Sequence, residues 1–113
     1  MNTPEQVVQR QLEAYNARDL EAFAATYSPT ITITNHADNQ VVMNGIAQVR
    51  QAYGNLFANS PNLHCEILQR MAFGNYVIDR EYVTGRGNAP SLNVVVIYEV
   101  KEGLIQRTWV LRE

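Results

Sequence analysis

Three charged residues, Asp79, Arg80 and Glu81, stand side by side within NYVIDREYVTG, residues 75–85. The segment alternates as a strand does, and neighbours on a strand point to opposite faces. Either Arg80 looks into the protein while the two acids look out, or the reverse. The first arrangement gives a pocket with a buried cation. The second gives a pocket with two carboxylates, which is a different chemistry.

A register follows if Gly74 and Asn75 form a two-residue hairpin turn. Phe73 then faces Tyr76, Met71 faces Ile78, Gln69 faces Arg80 and Ile67 faces Tyr82. The other set pairs Ala72 with Val77, Arg70 with Asp79, Leu68 with Glu81 and Glu66 with Val83. The first set is mostly apolar, and apolar sets pack against helices. Arg80 is therefore expected inside, with Asp79 and Glu81 outside; a one-residue slip would reverse this. A buried Arg keeps its charge and needs an anion, carbonyls or an aromatic face. It can also snorkel to a pocket mouth.

The elements that would position these residues are legible. Thr3-Pro4-Glu5-Gln6 opens a helix, with Thr3 as cap, Pro4 in the first turn and Gln6 completing a capping box. Val7, Val8, Leu12 and Tyr15 fall near one face. A second helix starts at Asp19 with Leu20, Phe23, Ala24 and Tyr27 as its stripe, and Ser28-Pro29 ends it. Residues 30–35 (TITITN) and 39–44 (NQVVMN) read as strands. Residues 45–61 read as a third helix, with Ile46, Val49, Tyr53, Leu56 and Phe57 as its stripe. The remainder is strand: 62–73, 76–85, 91–100 and 104–111, with a tight turn at 101–103. Helices followed by a long antiparallel meander predict an α+β fold with helices on one face of a curved sheet.

The chain has 113 residues with nine Lys+Arg, eleven Asp+Glu and a formal charge of −2. That length argues for a single domain, 1–113. The charge balance gives no reason to propose nucleic acid or an anionic membrane as partner. Cys65 is the one cysteine, so no intrachain disulfide forms, and it reads as a small buried apolar residue. There is no signal-peptide pattern at the N-terminus and no apolar run long enough to span a bilayer, so a cytoplasmic location is expected. No His/Asp/Glu spacing signals a metal, and no phosphate loop or nucleophile elbow signals a cofactor or covalent catalysis.

The stretches AYNARDLEAFAATYSPTITI, NGIAQVRQAYGNLF, VIDREYVTG and VVVIYEVKEGLIQRTWVL resemble the nuclear transport factor 2-like superfamily, over nearly the whole chain. It includes ketosteroid isomerases, limonene epoxide hydrolases and SnoaL-like polyketide cyclases. The resemblance implies a cone. A strongly curved mixed or antiparallel sheet wraps a pocket closed by three helices from the N-terminal half, a cystatin-like roll whose outer sheet face often makes a homodimer. The isomerase resemblance puts its acid-like tyrosine at Gln11, its proton-shuttling aspartate at Asn35 and its protonated aspartate at Val96. None of the three can perform those roles. Two of its pocket tyrosines match Tyr27 and Tyr53. The epoxide-hydrolase resemblance aligns its inward Arg with Arg80, which supports the inward placement, while its two acids fall on Tyr82 and Val110.

The expected ligand lining is Tyr15, Tyr27, Asn35, Tyr53, Arg80, Tyr82 and Thr108, within walls of Val94, Val96 and Val110. His36, following the first strand, is the one imidazole near the mouth and the candidate base. Two functions stay open. One is a domain that binds a small hydrophobic or carbonyl-bearing molecule in a largely apolar, tyrosine-lined pocket. The other is an isomerase, cyclase or lyase acting by proton transfer on a small carbonyl compound, with His36 as base and Tyr or Arg80 steadying the oxyanion. The missing acids favour binding. An open cone lined by polar atoms favours the enzyme, and a cone filled by Tyr15, Phe23, Tyr53 and Tyr82 an interaction protein. On the opposite face of the last two strands, Val95, Ile97, Ile105, Trp109 and Leu111 form an apolar patch, which predicts a sheet-to-sheet homodimer with a charged rim of Glu66, Arg70, Asp79 and Glu81.

Overall fold

The computed structural model describes residues 2–113. Its elements run α1 (Pro4–Ala17), α2 (Leu20–Ala24), β1 (Tyr27–Asn35), β2 (Gln40–Asn44), α3 (Ile46–Asn59), β3 (His64–Phe73), β4 (Tyr76–Thr84), β5 (Leu92–Lys101) and β6 (Leu104–Arg112). The fold is α+β, a curved six-stranded sheet with the helices against it. Strand order is β2-β1-β6-β5-β4-β3. All neighbours are antiparallel except β1 and β6, which run parallel and make the sheet mixed.

Local chemistry accounts for the helix starts. Thr3 and Gln6 exchange the two bonds of a capping box, and the Asp19 side chain accepts from the Ala22 amide. The second helix is shorter than its apolar stripe predicts. It ends at Ala24, and Tyr27, Ser28 and Pro29 belong to β1. Pro29 does not end a helix here. It lies exposed where the pairing of β1 with β6 is interrupted, between Tyr27 and Thr32, so its missing N–H costs no ladder bond.

The facing of β4 is the reverse of the expected one. Val77, Asp79, Glu81 and Val83 are buried on the helix side, and Arg80 is exposed on the outer face with Tyr76, Ile78 and Tyr82 around it. The hairpin register itself holds from Phe73–Tyr76 back to Gln69–Arg80. A bulge at Leu68 then shifts it, so Ile67 meets Glu81 and Cys65 meets Val83. The expectation failed because both faces of this sheet are apolar. Counting apolar residues therefore could not choose between them.

A second bulge, between β5 and β6, pairs Val100 with Ile105 and Glu99 with Arg107. It turns Ile105 inward, to 0% exposure, so Ile105 leaves the outer patch. The expected charged rim also fails, because Asp79 and Glu81 face inward and Arg70 turns toward the helix side to meet Asp79. The core lies between the helices and the inner sheet face, built on Val7, Phe23, Ile31, Val49, Val77 and Ile105. No helix among the described residues is long and apolar enough to cross a membrane.

Candidate active site in the cone

The helices do not fill the cone. A cavity of about 310 Å³ opens between them and the inner sheet face. Tyr15 and Tyr53 line one side, packed edge-on or tilted against the core residues Phe23 and Phe57, with Phe23 and Tyr53 centroids 4.7 Å apart. The sheet side presents Val94, Val96 and Val110, as the alternation of β5 and β6 predicts.

Polar atoms converge from five elements. Gln11 on α1 is buried and donates through Nε2 to the Tyr27 hydroxyl at 3.1 Å. With that oxygen accepting, the Tyr27 proton is available to another acceptor. Glu81 on β4 lies in the same wall, and the Tyr98 hydroxyl of β5 donates to its Oε2 at 2.9 Å. The Cys65 thiol of β3 lies in the same wall. No cation is within ion-pair distance of Glu81 among the described residues.

The electrostatics follow from this enclosure. Burial pushes Glu81 up to about 7, against the lowering effect of the Tyr98 hydrogen bond; the nearby Asp79 raises it further. Burial also pushes Tyr53 up to about 12 and raises Tyr15, Tyr27 and Tyr98. The Cys65 thiol is raised by burial and then by Glu81, so it is a proton donor here, not a thiolate nucleophile.

Of the residues expected to line the pocket, Tyr15, Tyr27, Tyr53 and Thr108 do line this cavity. Arg80 and Tyr82 do not, because they face outward. Asn35 lies at the end of β1, away from the cavity lining; its Oδ1 is shielded from solvent and has no partner among the described residues. His36 is exposed beyond the end of β1 and does not line the cavity. An exposed imidazole outside the cavity cannot take a proton from a ligand within it.

The residues that sequence reasoning missed are Glu81, Tyr98, Gln11 and Cys65, with Arg86 and Arg112 at the rim. A signal for Glu81 existed. Val94 and Val96 were read as inward, and in the sheet they stand opposite Glu81 and Asp79. Directly opposed residues share a face.

Solved structures share this architecture. An uncharacterized cystatin-fold protein from Novosphingobium aromaticivorans aligns with a TM-score of 0.90 at 24% identity, over 99% of this chain and 100% of that one. An NTF2-like protein of unknown function from Cytophaga hutchinsonii aligns with a TM-score of 0.83 at 13% identity, over 100% of this chain and 92% of that one. A protein of ketosteroid isomerase-like fold from Catenulispora acidiphila, in complex with trimethylamine, aligns with a TM-score of 0.76 at 19% identity, over 96% of this chain and 85% of that one. No curated protein matches the chain. With residues 8–108 matched by the SnoaL-like domain model and the architecture shared with these structures, the chain belongs to the SnoaL-like domain family of the nuclear transport factor 2-like superfamily.

Proposed function

We propose that the cone binds a small, largely apolar carbonyl compound and moves a proton on it through Glu81. The observation that carries this reading is a buried carboxylate in the wall of an open cavity with no cationic partner. A structural carboxylate is paired, whereas this one is left near the pH at which a proton goes either way. Ionised Glu81 would take a proton from the carbon beside the carbonyl and hold it for return at another position. Tyr27, whose oxygen accepts from Gln11, would donate to the oxyanion that forms. This assigns proton transfer to Glu81 in place of His36, and oxyanion binding to a tyrosine in place of Arg80.

Exchange of α-hydrogens tests the reading without knowledge of the natural substrate. With 4-phenyl-2-butanone in D2O, followed by proton NMR, wild type is expected to exceed the buffer rate by about 10²-fold or more, the scale of a positioned acid–base group. Glu81→Gln is expected to fall to the buffer rate, and His36→Ala to match wild type. Wild-type exchange no faster than buffer would leave passive binding as the function. The Catenulispora relative, in complex with the small molecule trimethylamine, keeps that second reading in view.

We also infer a two-fold homodimer through the outer sheet face. Val95, Ile97, Trp109 and Leu111 remain half-exposed there, with Arg107 stacked over the Trp109 ring at 5.2 Å. Light scattering at micromolar concentration is expected to give twice 12.8 kDa, and Trp109→Glu to give monomer or aggregate. A wild-type monomer would refute the pairing.

A further inference from the structure

We propose that the compound handled at Glu81 is an amphipathic acid, seated with its anionic group between Arg86 and Arg112 at the cavity mouth and its apolar body inside. The inference rests on the pocket reading above and names its substrate class.

Both arginines are placed at the mouth by the fold. Along β6 the inward positions run Thr108, Val110, Arg112, and Arg112 stands opposite the inward Val94. It is exposed, whereas Thr108 below it is buried, so the strand carries its charge to the rim. Arg86 follows Gly85, which ends β4 with φ +71°. A Cβ there would collide with the Asn62 carbonyl oxygen, so the turn is confined to glycine. The Arg86 side chain then folds back and donates through Nη1 to the Pro90 carbonyl at 3.0 Å.

Among the described residues neither guanidinium has an anionic partner. The ion pairs among the described residues engage Arg50, Arg70 and Arg107. Both cations line the cavity, Arg86 from the turn after β4 and Arg112 from the end of β6. Two unpaired guanidinium groups over an apolar cavity attract anions and match the planar fork of a carboxylate. Glu81 works in the same sense from the far end. When ionised it repels an anionic head, so the head stays at the rim and the apolar body enters. A neutral ligand would cover the two cations and give them nothing in return.

A matched pair of probes tests the assignment: 4-phenylbutyrate and 4-phenyl-1-butanol, which share the apolar body and differ in the charge. Titration calorimetry of wild type is expected to give about tenfold tighter binding of the acid. In the Arg86→Gln/Arg112→Gln variant that ratio is expected to fall to about one, with the alcohol unaffected. Arg112→Gln alone, at an exposed position that removes no intramolecular bond, is expected to lower the ratio part of the way and guards against a folding defect in the double variant. Equal affinities in wild type, or a ratio that survives both substitutions, overturn the amphipathic acid and leave the pocket reading standing. Binding of neither probe overturns both.

Discussion

Asp79 and Glu81 are two carboxylates two residues apart on one strand, facing the same way, and the protein treats them differently. Asp79 is 1% exposed and fully engaged. Arg70 reaches across from β3 with Nε and Nη2 at 2.7 and 2.9 Å from its two oxygens, and its Nη1 donates to Gln9 of α1 at 2.8 Å. Glu81 is 8% exposed and receives one neutral donor, the Tyr98 hydroxyl. One acid ties a helix to the sheet, and the other is left with a mobile proton beside a cavity. Environments that separate two like groups divide their roles. The first is held in an ion pair with Arg70, and the second has no such partner among the described residues.

The largest expected effect breaks the paired acid. Arg70→Met leaves the Asp79 charge buried and unpartnered, and urea denaturation at pH 7 is expected to show a loss of about 3–5 kcal/mol. Adding Asp79→Leu to that variant is expected to recover most of the loss, because an apolar pair needs no solvation. If Arg70→Met proves neutral, the two carboxylates are not energetically distinct.

The unpaired acid is expected to behave in the opposite way. Glu81 holds its proton more tightly in the folded chain than in the unfolded one, since burial raises it to about 7. The folded state therefore binds more protons between the unfolded pKa and about 7, and stability falls as pH rises through that window. Glu81→Gln carries no charge to bury. Relative to wild type it is expected to gain about 3 kcal/mol between pH 4.5 and pH 8, the equivalent of the shift at 1.36 kcal/mol per unit. It is expected to lose proton exchange at the same time, so that the residue most useful in the cavity is one the fold would be steadier without. A stability difference that stays flat with pH would place Glu81 among the ordinary acids.

A smaller effect sharpens the contrast from the neutral side. Tyr98→Phe removes the hydroxyl that donates to Glu81. It is expected to cost about 1 kcal/mol at pH 8 and to move the midpoint of Glu81 upward, since that bond favours the ionised form. The pH profile of α-hydrogen exchange reads the midpoint directly.

The elements were legible in the sequence because each announces itself locally. Thr3 and Asp19 cap their helices as their types predict, and the Gly74–Asn75 turn sets the hairpin register from Phe73 to Gln69. Tyr15, Tyr53 and Thr108 reached the cavity for the same reason, inward alternation and helix stripes, whereas Tyr27, expected on a helix stripe but found on β1, was placed there by the family resemblance. What failed was non-local. The bulges at Leu68 and Gln106 each add one residue to a ladder, and neither carries a Gly or Pro to mark it. The facing of β4 depended on comparing two apolar faces, one meant for the helices and the other left to the outside. Cross-strand agreement with β5 would have decided it, but the loop 85–91 gives no turn signature from which that register can be counted.

The smallest expected effect is therefore the most pointed. Arg80 read as the buried cation of the pocket, yet its side chain stands exposed on the outer face, beside Val95 and Leu111. It makes no ion pair among the described residues. Arg80→Leu is expected to change stability by no more than about 0.5 kcal/mol, as for a surface position without a partner. It is also expected to leave 4-phenylbutyrate binding and proton exchange at wild-type levels, since the sheet lies between this side chain and the cavity. Placed inward, the same substitution would abolish acid binding, and if paired internally it would cost about 3–5 kcal/mol. One variant and two measurements thus separate the two facings of the strand: either loss would return Arg80 to the cavity and turn Asp79 and Glu81 out to solvent together.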